Sequence, residues 1–424
     1  MSQEKRLLLI LAAVQFCHII DFMIIMPLGK TVMGVFAITP GQFSRVVTAY
    51  ALAAFFGNLV STAVIDRFDR RTALLFLFTG FGLGTLACAF APSYALLLAL
   101  RFVTGLFGGT LGALVLAIVA DVIPLERRAA AMGWVMTAFS AASVVGVPTG
   151  IFLAAELGWH APFLAVAGLT LVFLLAAYFV VPPLRGHLAE PAGGAPVLGR
   201  RGAAAIAEHA TPPQAVLQPR SYRNALLEPF ARIFRNANQR AALLFTMTLM
   251  LGHFTIIPFI APYMQLNIGF SDRQVSLIYL CGGSLTVVLL PLFGRLADRY
   301  GRMRVFTLAS VFALASIYAL TNLDTRSVPL ALLVTSSFFV VASGRSVPAT
   351  TMVTSVVRPE NRGSFMSIRQ SVNELALAAS SFVAGLIVTE APDGSLQHYE
   401  WVGYFSIVMS VAAIATASRI RAVA

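Results

Sequence analysis

The sequence predicts an all-α integral membrane protein of twelve transmembrane helices in two six-helix, pseudo-symmetric halves. Three observations carry this. Of 424 residues, 58% are hydrophobic and 11% charged, whereas a soluble domain carries about a quarter charged residues. Twelve apolar runs are long enough to span a bilayer; spans 1 to 12 are expected at 7–28, 41–64, 72–91, 94–122, 129–154, 160–181, 241–265, 272–293, 304–322, 328–356, 364–389 and 399–418. The chain also repeats itself. Asp66 and Asp298 stand 232 residues apart, and so do Thr39-Pro40-Gly41-Gln42 and Ser271-Asp272-Arg273-Gln274. Two features at one offset indicate internal duplication.

The first run shows no cleavage-site pattern after Leu28 and is expected to remain as a helix. Thr39 with Gln42, and Ser271 with Gln274, are capping boxes that start spans 2 and 8, with Pro40 suited to a first helical position. Short connections make neighbouring spans antiparallel. Lys5, Arg6, Arg67, Arg70, Arg71, Arg127, Arg128, Arg295, Arg299, Arg302, Arg304, Arg358, Arg362, Arg419 and Arg421 fall on one side, and only Lys30, Arg45, Arg273 and Arg326 on the other. Both termini are therefore expected in the cytoplasm, with the chain in the cell (inner) membrane. The net charge of +12 belongs to this topology and not to a nucleic-acid surface. Cys17, Cys88 and Cys281 lie inside apolar runs, as small buried side chains do. Residues 182–240 form the one long connection, a cytoplasmic linker between halves 1–181 and 241–424. Within it, 222–240 places Leu226, Leu227, Phe230, Ile233 and Phe234 at helical spacing among arginines, which reads as a basic amphipathic helix on the membrane surface.

Between spans 8 and 9 stands Gly294-Arg295-Leu296-Ala297-Asp298-Arg299-Tyr300-Gly301-Arg302. Its charges and glycines are expected to form a tight turn in water. The earlier copy, Thr62 to Arg71, has Thr62 and Asp69 where the later one has glycine. The pattern G-x-L-A-D-R-x-G-R resembles the signature loop of the major facilitator superfamily, which joins the second and third helices of each half. The resemblance extends over nearly the whole chain apart from the linker. It implies a gate at the cytoplasmic end, for which the candidate residues are Asp66, Arg70, Arg71, Asp121, Arg128, Gly294, Asp298, Arg299, Gly301, Arg302 and Arg362. Plain positive-inside topology explains the arginines of these loops but does not require Asp66 or Asp298.

Ionisable groups inside spans are costly and are functional candidates. Asp21 and Arg101 each lie about 10 Å below the outer end of spans 1 and 4, at ~1.5 Å per residue. Matching depth and opposite sign make them a candidate pair, with a purely structural ion pair as the alternative. Arg101-Phe102-Val103-Thr104-Gly105 resembles the superfamily's fourth-helix motif R-F-x-x-G, whose arginine is implicated in proton coupling. In the second half, Arg345 and Glu374 lie about 15 Å from the inner ends of spans 10 and 11. His253 occupies the repeat position of Asp21, and Gln370, Asn373 and Glu374 share a helix face. His253, Arg345, Gln370, Asn373 and Glu374 are the candidate substrate-binding set, and Asp21, Arg101 and Glu374 the candidate proton-coupling set. Packing alone is the simpler role for His18. It is also the simpler role for the glycine face Gly105, Gly108, Gly109 and Gly112.

Gly146-Val147-Pro148-Thr149-Gly150 in span 5 resembles the glycine–proline motif of drug:proton antiporters, in the G-V-P-x-G variant of sugar- and drug-efflux permeases. Gly146, Pro148 and Gly150 would serve close packing and a bend. The expected function is export of a small organic solute, a drug-like compound or a sugar, in exchange for protons by alternating access. A proton symporter importing a sugar or metabolite is the same-fold alternative. A membrane-embedded enzyme would need a nucleophile, metal or phosphate-binding constellation, and a non-transporting receptor would not need intramembrane acids; neither fits. The expected partners are a small-molecule substrate, protons and the lipid bilayer, with no cofactor, metal or nucleic acid, and the protein is expected to be a monomer.

Overall fold

The structure, a computed structural model, describes residues 3–64, 68–184, 235–357 and 362–421. Among these, eleven helices are long and apolar enough to cross a membrane. Arg362–Ile387, 26 residues long, is the twelfth; Arg369, Gln370, Asn373 and Glu374 give it a polar N-terminal half. The spans pack in matching pairs. Span 2 lies against span 4 as span 8 lies against span 10, span 3 against span 6 as span 9 against span 12, and span 1 against span 5 as span 7 against span 11. The contacts between halves obey the same exchange, with span 2 on span 11 and span 5 on span 8. The duplication seen in the sequence is thus a duplication of the packing. Both capping boxes form: Thr39 N donates to Gln42 Oε1 at 2.9 Å and Ser271 N to Gln274 Oε1 at 2.9 Å.

Four spans expected as single helices are broken. Span 1 is Gln3–Ile24 and then Gly29–Phe36, and its repeat partner, span 7, is Ala237–Phe254 and then Ile257–Leu266. Span 5 runs Leu125–Ala141, passes through a π turn at Ala142–Gly146, and continues as Val147–Leu157. Span 10 stops at Val328–Gly344 and restarts at Ser346–Thr354. Pro148, Pro258 and Pro348 stand just after three of these breaks. Each lacks the N–H that would bond four residues back. Hydropathy averaged over a whole span does not register such breaks.

The signature loop also differs from expectation. The helix of span 8 continues through the charged stretch as Asp272–Tyr300, and span 9 begins at Arg302. The turn is a single residue, Gly301, at φ +93°, a conformation that side chains disfavour. Gly294 is helical, and a Cβ there would make only ordinary contact, 3.9 Å from Val347. Leaving the bilayer does not end a helix, because charged residues are compatible with helix in water.

Residues 185–234, and with them most of the 182–240 linker, lie outside the described residues. One end of the expected amphipathic segment is corrected. Asn236 caps the next helix, its Oδ1 accepting from the backbone N of Asn238 at 2.9 Å, so 237–240 belong to span 7.

The halves close on each other at the end opposite the arginine-rich loops. A Cβ on Gly29 would lie 2.6 Å from Pro262, and one on Gly41 would lie 2.8 Å from the carbonyl of Gly385. Phe43 meets Phe259 edge to face at 6.1 Å. Ser44 donates to the carbonyl of Ser381, and Thr48 to that of Ala378 at 3.4 Å.

Candidate functional site

Asp21 and Arg101 form the expected pair. Arg101 Nη1 lies 2.8 Å from Asp21 Oδ2, and neither side chain is exposed. Arg101 Nη2 donates to the backbone carbonyl of Asp21 at 3.2 Å, and Thr85 Oγ1 donates to Asp21 Oδ1 at 3.1 Å. The guanidinium sits 4.4 Å over the ring of Tyr50, with Phe163 beyond it at 5.9 Å. Five spans therefore meet at one charge pair. The small-residue face of span 4 permits this approach: a Cβ on Gly105 would lie 2.3 Å from the carbonyl of Tyr50, and one on Gly109 2.5 Å from the Cα of Ala54. His18 makes no bond to Asp21; its ring lies 6.4 Å from those of Tyr50 and Phe81. The span 5 motif backs the same helix, with Gly146 and Gly150 facing Ile20 and Ile24 of span 1.

A cavity of about 350 Å³ lies between the halves, running from the closed end toward the arginine-rich end. Of the candidate binding residues, His253, Arg345 and Asn373 line it. Gln370 and Glu374 do not; Gln370 Nε2 donates to Glu374 Oε1 at 2.7 Å, the one-turn pairing their spacing allows. Arg345 is fully buried. Its Nη1 donates to Ser410 Oγ at 3.0 Å. His253 stacks on Phe338 at 5.8 Å.

The gate candidates separate. Arg70 Nε donates to Asp121 Oδ2 at 2.8 Å. Arg71 instead reaches the carbonyl of Tyr178 at 2.6 Å, and Arg128 the carbonyl of Ile123 at 3.4 Å. Neither bonds to Asp121. Asp69 caps span 3, accepting from Arg71 N at 3.1 Å and from Leu184 N at 2.8 Å. Asp298, Arg299 and Arg302 are exposed, and Arg299 lies over the ring of Tyr300 at 5.3 Å. Asp66 and the side chain of Arg362 lie outside the described residues.

The Major Facilitator Superfamily profile matches residues 11–251 and again 242–422. The chain belongs to the Major Facilitator Superfamily. It is accordingly a multi-pass membrane transporter of small molecules and not an enzyme. The MFS-type transporter YbcL of Bacillus subtilis strain 168 is 24% identical over 89% of this chain and 86% of its own length. The inner membrane transport protein YdhP of Escherichia coli strain K12 is 32% identical over 136 residues, which are 32% of this chain and 35% of YdhP. Among solved structures, a D-xylose-proton symporter aligns with TM-score 0.73 at 15% identity over 97% of both chains. A bacterial homolog of the human lysosomal transporter Spinster aligns with TM-score 0.70 at 14% identity over 99% of this chain and 98% of its own. These likenesses show the superfamily fold. Within it, the sequence pointed to Asp21 and Arg101 but not to Tyr50 or Thr85. A tyrosine and a threonine in apolar spans carry no marker of their own until the fold brings them to a charge.

Proposed function

We propose that this superfamily member exports a small organic solute in exchange for protons, with halves 1–181 and 241–424 rocking about the cavity and both termini in the cytoplasm. Asp21 carries the proton, and Arg101 with Thr85 stabilises its ionised form. The observation that carries this reading is the buried Asp21–Arg101 pair standing in the same conformation as the cavity between the halves. A carboxylate paired at 2.8 Å with a guanidinium has the geometry of the deprotonated acid. Cargo that binds this conformation selects the deprotonated form and so displaces a proton. Export is favoured by the Gly146-Val147-Pro148-Thr149-Gly150 motif, packed against the helix that bears Asp21. Arg70–Asp121 and the Asp298 loop act as the cytoplasmic gate.

The test is a proteoliposome assay with an imposed pH gradient and a panel of sugars and drug-like compounds. Solute moving against the direction of proton flow supports exchange, and solute moving with protons establishes the symport alternative. In both cases Asp21→Asn should remove the response to the gradient.

A further inference from the structure

We propose that Arg345 anchors an organic anion, and that the cargo is a small monocarboxylate with an apolar or aromatic body. This rests on the transport reading but not on its direction or coupling.

Arg345 is fully buried, yet it makes one side-chain hydrogen bond, to Ser410. Its Nε and Nη2 have no partner among the described residues. These two nitrogens form one edge of the guanidinium, the fork that matches the two oxygens of a carboxylate. Arg345 also lines the cavity between the halves. A guanidinium held in a membrane interior without a counter-charge is costly, and an anion on its unpartnered edge would offset that cost.

The surroundings agree. Among the described residues, no Asp or Glu lines the cavity. Asp21 is taken by Arg101, and Glu374 is bonded to Gln370. A cationic cargo would meet Arg345 with nothing to offset the repulsion. His253, beside Arg345 on the lining, has an unpartnered Nδ1 and adds a polar contact. The rest of the lining is largely apolar and includes Phe22, Phe139, Phe254 and Phe339, which suits an unsaturated or aromatic body.

The test uses the full chain in detergent and three probes of one size: 2-naphthoate, 2-naphthamide and 2-naphthylmethylammonium. Ligand-dependent thermal stabilisation and equilibrium binding are measured without any gradient, so failure here is separate from failure of proton exchange. Naphthoate should bind, and the amide and the ammonium should bind about 10- to 100-fold more weakly, the range for loss of charge-assisted hydrogen bonds. Arg345→Lys should keep part of the preference, and Arg345→Gln should lose it. The probe series in the wild-type protein decides the matter even if a variant fails to fold. Naphthoate binding no tighter than the amide or the ammonium overturns the proposal, as does undiminished naphthoate binding by a folded Arg345→Gln.

Discussion

Two arginines are buried in equivalent spans of the two halves, and their surroundings are opposite. Arg101 in span 4 is held by a carboxylate, a backbone carbonyl and the face of Tyr50. Arg345 in span 10 sits at a helix break beside the cavity, with a single serine partner and an edge, Nε and Nη2, that has no partner among the described residues. Duplication supplied two similar six-helix frames, and in the function proposed above the halves divide the work. One arginine is balanced internally by Asp21, the acid proposed to exchange a proton. The other has no acidic partner among the described residues and is the one proposed to meet the cargo. The difference teaches that burial alone does not define a functional charge; the state of its partners does.

The comparison can be broken first by stability. Arg101→Leu strands Asp21 as an uncompensated buried charge, and removing one partner of a buried pair costs about 3–5 kcal/mol. Arg345→Leu removes a charge that has no internal counter-ion and should be close to neutral or stabilising. Thermal unfolding in detergent should therefore show a large fall for the first variant and little change or a rise for the second. Equal falls would mean that the two arginines do the same structural job.

Transport sharpens it next. Asp21→Asn should abolish gradient-driven movement while folding and probe binding persist, because the amide resembles the protonated carboxyl. Glu374→Gln should instead change affinity or selectivity by a few-fold, since Glu374 lies one turn from Gln370 and outside the cavity lining. Flux and binding measured on the same preparations check this. A smaller effect is expected at the gate. Gly301→Val places a branched side chain at φ +93°, a backbone strain of about 1–3 kcal/mol. Asp298→Ala removes an exposed acid. Both should slow turnover with binding unchanged, and wild-type rates in both would reduce the loop to a topological marker.

Much of this was legible in the sequence, for physical reasons. The bilayer forces long apolar runs, and the duplication leaves a constant offset. Asp21 and Arg101 could be paired because a charge in a span is rare and matching depth restricts its partners. The breaks at residues 25–28 and at Arg345 were not legible, since hydropathy averages over a turn. The extent of span 8 was misjudged for the converse reason: charge marks the edge of the bilayer, and the helix runs past it to Tyr300. Of the expected binding residues on span 11, Gln370 and Glu374 pair one turn apart, as their spacing allows. Spacing could not tell that Asn373 reaches the cavity while Gln370 and Glu374 bond to each other. The free edge of Arg345 is a property of what is absent around it, which only three-dimensional packing reveals.

The most direct test of the division between the two halves is the proton exchange that accompanies probe binding, read with a pH dye in weakly buffered detergent. Naphthoate binding should release protons from the wild-type protein and from Glu374→Gln. In Asp21→Asn it should still bind and release none. Proton release that persists in Asp21→Asn and is lost in Glu374→Gln would place coupling in the second half and contradict the account.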